Sequence, residues 1–210
     1  PTKVASTLRD SRVAWRLFTA FEIFAGFLAL AFEFAQSSGA DLTVGESCAA
    51  LLKRWRDEAA PERVAVAGHV AVDHYRGDPG RPLVVLVPGG SWSHGDDSRI
   101  YRLLAAAIRR SADCDVAVVD YSPWPLRDGD EMVDDVAETL AWAERTSPGK
   151  VVALGLSAGA HLVTAALCCR AVAFEPPKAA ILCSGVYDLA AHYRHEKARG
   201  VPPPAPAKHR

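Results

Sequence analysis

Several protein classes are excluded by what the chain does not contain. Its 210 residues carry 24 basic and 25 acidic side chains, a formal net charge of −1, and no basic stretch stands out. A nucleic-acid-binding domain needs a net positive surface to displace counterions, so nucleic acid is not expected as a partner. Cysteine is sparse and badly spaced for cross-linking: Cys48, Cys114, Cys168, Cys169 and Cys183 are odd in number, with one adjacent pair and no C-x-x-C. Neither a disulfide framework nor a zinc knuckle is indicated, and a reducing, intracellular location is expected. No metal or organic cofactor is implied, and there is no internal repeat. Half of the residues are hydrophobic and 23% are charged, which is too apolar for a disordered or collagen-like chain. One buried core is expected. The first residue is proline rather than methionine, so a processed chain or a fragment is expected.

An uncharged membrane span is also missing. Residues 13–35, VAWRLFTAFEIFAGFLALAFEFA, are the most apolar stretch but include Arg16, Glu22 and Glu33. At 100° per residue, Glu22, Gly26, Ala29 and Glu33 form a narrow polar or small stripe on an otherwise apolar helix. An ionised side chain near mid-membrane costs about 2.5–3.5 kcal/mol on insertion scales. Residues 1–36 therefore read as an apolar helix that is either membrane-embedded or interfacial, or packed on the domain or a partner, or a targeting segment. A membrane surface, endomembrane by location, stays among the candidate partners. Residues 37–62 read as a linker and a short helix, 46–59, ended by Pro61.

Residues 63–201 alternate in the manner of βα units. Residues 64–72 alternate as one long strand or a strand pair, whereas 83–87, 116–119, 151–154 and 180–183 are solid apolar runs. Such runs predict a mostly parallel sheet covered by helices on both faces. Helical spacing covers 99–110, 130–145 and 158–169, and the Pro148-Gly149 pair closes the second of these. The proline-rich tail, 202–210, cannot continue a sheet.

After the third solid run, 151–154, comes Gly155-Leu156-Ser157-Ala158-Gly159, a G-x-S-x-G pentad between a strand and a helix. By composition alone such a pattern occurs about 0.07 times in a chain this long, so the pentad carries weight through its placement. A nucleophile elbow needs a strand, a sharp turn with small neighbours, and a helix whose first amides face developing negative charge. Ser157 is the candidate nucleophile, and Gly155 and Gly159 are the candidate structural glycines of the elbow. A second element, Pro88-Gly89-Gly90-Ser91-Trp92, follows strand 83–87. Acyl transfer needs fixed donors for its oxyanion, and the amides of Gly90, Ser91 and Ala158 are the candidates.

Four blocks carry a family resemblance: VPGGSWSHGD at 87–96, VVDYSPWP at 118–125, GLSAGAHL at 155–162 and SGVYDLAAHYRHEKARGV at 184–201. Together they resemble esterases of the α/β-hydrolase superfamily, and within it the isoprenylcysteine methylesterase and kynurenine-formamidase-like group. The resemblance implies an α/β-hydrolase fold, hydrolysis of carboxylic esters and a small-molecule ester substrate, such as an isoprenylcysteine methyl ester. An aryl formamide or a small ester is the alternative. Pro88 stands where many relatives have histidine. The resemblance also implies a catalytic acid and a histidine on loops after two further strands. No such strands follow Cys183 in the sequence, so a hydrolase domain truncated at its C-terminal side and catalytically incomplete is expected. His161 reads as packed under the elbow, His192 and His195 as a solvated helix face rather than a metal site, and Asp188 as structural. His94 alone of the earlier histidines falls near the predicted pocket. A non-catalytic pseudo-hydrolase or scaffold module is the rival reading. An open sheet edge at 180–183 predicts aggregation of the chain.

Overall fold

The computed structural model describes residues 60–77, 80–92, 101–169 and 175–200. The chain divides into two compact units, Pro1–Glu58 and Ala59–Arg210, and every described residue lies in the second. The apolar helix expected over 1–36, the linker and short helix, His94 and the proline-rich tail lie outside the described residues.

The described residues form, in chain order, six strands and four helices: β1 Glu62–Ala67, β2 Val70–Tyr75, β3 Leu83–Val87, α1 Arg102–Ala112, β4 Asp115–Asp120, α2 Gly129–Thr146, β5 Val151–Leu156, α3 Ala158–Cys169, β6 Ala179–Cys183 and α4 Leu189–Ala198. They form one sheet in the order β1-β2-β4-β3-β5-β6. Strands β4, β3, β5 and β6 are parallel, and β2 joins β4 antiparallel. The segment read as one strand or two is a hairpin: β1 and β2 pair antiparallel around Gly68-His69, with an irregularity between Ala65 and Ala67.

Burial follows from strand position. Central β3 is buried at every residue, which is why LVVLV tolerates no polar residue. On one face, α2 and α3 pack Met132, Val136, Leu140, Leu162 and Val163 over Val72, Val85, Val119 and Ala153. On the other, α1 covers Val84, Leu86, Val116 and Val118 through Ala105, with Leu104 and Ile108 partly buried. Leu140 and Leu162 are among the largest fully buried side chains, and each contributes about 1.5–3 kcal/mol by leaving water. Helix α2 starts at a capping box: Glu131 N donates to Asp128 at 2.9 Å and Asp128 N to Glu131 at 2.8 Å.

Cover fades toward β6, a difference from the sheet expected to be covered on both faces. Every residue of β6 is exposed, and α4 buries none of its residues. An apolar run identifies a strand, but whether it is covered depends on which elements pack over it, and among the described residues none reaches β6 fully. Ile181 is 51% exposed on this edge strand, close to exposed Leu189 and Tyr193 in sequence. Edge strands of this kind pair with one another. Light scattering of the full chain is expected to rise with concentration, and Ile181→Lys to suppress that rise; equal scattering by both would refute this role of the edge.

Candidate active site

The parallel strands bring Val87, Asp120, Leu156 and Cys183 to one end of the sheet, where ligands of open α/β sheets bind. Ser157 occupies the one-residue turn between β5 and α3. Its φ is 52°, a left-handed conformation that an L-residue adopts at a cost, and its side chain is exposed. The Ser157 amide donates to Cys183 O at 2.8 Å, which ties the turn to the end of β6. The first helical bonds run from the Ala160 and His161 amides to Ser157 O, at 3.0 and 3.2 Å. The amides of Ala158 and Gly159 therefore lack intrahelical acceptors at the positive end of α3.

The elbow glycines are required by close approach. A methyl built on Gly155 would lie 2.5 Å from Ala160 Cα. One built on Gly159 would overlap the carbonyl oxygens of Val87 and Pro88, which brings α3 directly against the end of β3. The 88–92 loop meets the serine itself: a methyl on Gly89 would be 3.2 Å from Ser157 Cβ and 2.9 Å from Leu156 O. Gly90 has φ 131°, and Ser91 and Trp92 have φ 53° and 58°. Tyr121 OH donates to Pro88 O at 3.2 Å and Trp124 N to Trp92 O at 2.7 Å, so the loop after β4 holds the loop after β3.

Among the described residues no histidine side chain is hydrogen-bonded to the Ser157 hydroxyl. His161 Nδ1 accepts the Trp92 indole N–H at 3.0 Å, with the two rings edge to face at 5.5 Å. That contact joins α3 to the 88–92 loop, beyond the simple packing under the elbow read from sequence. His69 Nε2 lies 2.5 Å from Asp135 Oδ1, and the Arg127 guanidinium and the Ser122 amide also bind this fully buried carboxylate. Asp135 thereby fastens the β1–β2 turn and the 121–127 loop to α2, a buried charge with its partners in place. Sequence reasoning missed this cluster. His192 and His195 lie on α4, and Asp188 is the N-cap of that helix, accepting from Ala191 N at 2.7 Å. Among the described residues no group of His, Cys, Asp and Glu could hold a metal ion, and no helix is long and apolar enough to cross a membrane.

At the other end of the sheet, a cavity of about 420 Å³ is lined by His74, Arg76, Arg81, Asp115 and Lys150 among others. None of the candidate site residues borders it. Arg76 is paired with Glu62 at 2.6 Å and Arg81 with Asp113 at 2.8 Å, so its positive charge is largely met within the protein. His74 is 1% exposed, and among the described residues its ring nitrogens have no partner at full hydrogen-bond distance, Asp115 Oδ2 standing 3.6 Å from Nε2. Burial, and then the Arg76 charge, lowers its pKa against an opposing pull from Asp115; burial alone lowers that of His161. Both histidines are thus more basic when unfolded, so their neutral forms stabilise the fold above about 6.5 and that contribution is lost as pH falls below it. The urea midpoint is expected to be lower at pH 5.5 than at pH 7.5, and His74→Leu to narrow the gap. An unchanged gap in that variant would contradict it.

A family model described as the alpha/beta hydrolase fold matches residues 84–205. No curated protein sequence matches the chain. Among solved structures, a mutant of the esterase E40 is 30% identical, with a TM-score of 0.54 over 63% of this chain and 46% of that one. The Francisella virulence factor BioJ is 16% identical, with a TM-score of 0.58 over 90% of this chain and 57% of that one. A propionate-bound thermophilic esterase from the planctomycete Thermogutta terrifontis is 19% identical, with a TM-score of 0.51 over 66% and 62% of the two chains. The chain spans about half the length of the solved structures it matches. The family match covers more than half of the 210 residues, and it coincides with the parallel sheet and its strand-to-helix elbow: the chain belongs to the alpha/beta hydrolase fold family.

Proposed function

We propose that this chain carries the nucleophile and oxyanion half of a carboxylic-ester hydrolase site. The observation that supports it best is the exposed Ser157, held left-handed at the turn from β5 to α3 with the 88–92 loop against it. In this reading Ser157 Oγ attacks the ester carbonyl carbon and the carbonyl electrons move onto oxygen. The Gly90, Ser91 and Ala158 amides stabilise that oxyanion, and its collapse expels the alcohol and leaves an acyl-serine for water to hydrolyse. Similarity to the esterase E40 supports ester chemistry, and the motif resemblance favours an isoprenylcysteine methyl ester over an aryl formamide or another small ester.

Turnover by this chain is proposed to be weak. An alcohol needs a base to become a competent nucleophile, and among the described residues no histidine side chain is hydrogen-bonded to the Ser157 hydroxyl. The same observation favours a second reading, a pseudo-hydrolase that binds an ester without turning it over. Release of nitrophenolate from 4-nitrophenyl acetate, compared with Ser157→Ala, separates the two. A Ser157-dependent release supports the hydrolase site, identical traces sink it, and rapid sustained turnover refutes the incompleteness.

A further inference from the structure

The 88–92 loop does not hold its shape by itself. Two successive non-glycine residues, Ser91 and Trp92, are left-handed after Gly90, and each such residue costs about 1–2 kcal/mol. Conformations of this kind persist only where surrounding contacts impose them. Tyr121 and Trp124 bind the loop from the β4 side through Pro88 O and Trp92 O. From the α3 side the tether is the Trp92 side chain, whose indole N–H ends on His161 Nδ1 at 3.0 Å. His161 in turn stands on the first turn of α3, its own amide donating to Ser157 O at 3.2 Å. One short path therefore links Ser157, His161, Trp92 and the amide-bearing residues Ser91 and Gly90.

We propose that His161 is a positioning residue for the oxyanion loop, setting where the Gly90 and Ser91 amides stand relative to Ser157 by accepting the Trp92 indole proton. This rests on the reading of Ser157 as the nucleophile. The direction of the bond assigns the tautomer, because an indole nitrogen only donates. Nδ1 must hold a lone pair, and the ring proton of neutral His161 is on Nε2. With its lone pair committed to Trp92, His161 has none left to take a proton from Ser157, so it is not the missing base. Its contribution is geometric. Oxyanion donors act only when aimed at the developing charge, and a displacement of about 1 Å can cost on the order of 100-fold in rate.

The test compares His161→Leu, His161→Asn, Trp92→Phe and the double variant His161→Leu/Trp92→Phe in the full chain. Asparagine carries its amide oxygen as many bonds from Cα as Nδ1, so it can accept the same proton, whereas leucine fills space without an acceptor. Acylation of Ser157 by 4-nitrophenyl acetate is followed by nitrophenolate release and intact mass, and the Trp92 indole proton by its ¹H–¹⁵N resonance. His161→Leu is expected to slow acylation by about 10- to 100-fold at little change in the half-saturating ester concentration, and to shift the indole resonance upfield. Trp92→Phe should match it, and the double variant should be no slower than either. His161→Asn should stay within about threefold of the parent, which a purely space-filling role would not produce. Equal acylation in the parent and His161→Leu overturns the positioning role while leaving the ester reading intact, as does an unmoved indole resonance or a His161→Asn rate as low as that of the leucine variant. A parent chain with no Ser157-dependent acylation overturns both.

Discussion

Ser157→Ala is expected to lose all covalent acylation and, with it, the one equivalent of nitrophenolate that the parent chain releases from 4-nitrophenyl acetate through Ser157. The oxyanion amides survive in the variant, but the attacking oxygen does not. In the parent, release should stop near one equivalent, because water attack on the acyl-serine also needs a base and, among the described residues, no histidine side chain is hydrogen-bonded to the Ser157 hydroxyl. The variant should fold normally, since alanine meets the same left-handed backbone at φ 52° that serine does. Ser157→Gly, which removes the Cβ from that conformation, should be equally inert yet more stable by about 1 kcal/mol in urea denaturation. An alanine variant that acylates like the parent would place the chemistry elsewhere.

Gly159→Ala is expected to give the largest loss of stability from a single methyl, about 3 kcal/mol or more. The new carbon would overlap two backbone carbonyls, those of Val87 and Pro88, and backbone cannot rotate away as a side-chain tip can. Helix α3 would have to move off β3, carrying the Ala158 amide and His161 with it. Gly129→Ala is the matched control: nothing lies within 4 Å of its added methyl, and it begins α2, so alanine there should be neutral or stabilising by up to about 1 kcal/mol. Both are read from urea midpoints of the full chain. A Gly159→Ala midpoint equal to the parent's would mean that α3 does not approach β3 so closely.

What the sequence made legible was set by local rules. The run 83–87 became β3 with the same bounds, and 158–169 became α3, because strand and helix periods act over neighbouring residues. The run 116–119 sits inside β4, and the alternating stretch 64–72 became a hairpin once Gly68-His69 supplied the turn. The placement of Ser157, Gly155 and Gly159 on a strand-to-helix turn followed from the same rules. Contacts between distant residues were not legible. His69 meets Asp135 across 66 positions and Trp92 meets His161 across 69, and no spacing in the sequence announces either pair. The signal that could have found the second is chemical: a tryptophan beside a Gly-Gly loop needs an acceptor for its N–H when partly buried. Exposure of β6 escaped for a related reason, since an apolar AILC run reports what the strand is, not what covers it.

The claim that Ser157 is an acyl-accepting nucleophile is tested most directly by treating the full chain with a fluorophosphonate and mapping the adduct by peptide mass spectrometry. The account predicts a single adduct on Ser157, formed slowly and absent from Ser157→Ala. An unmodified Ser157 peptide, with the phosphonate on another residue or on none, would contradict it.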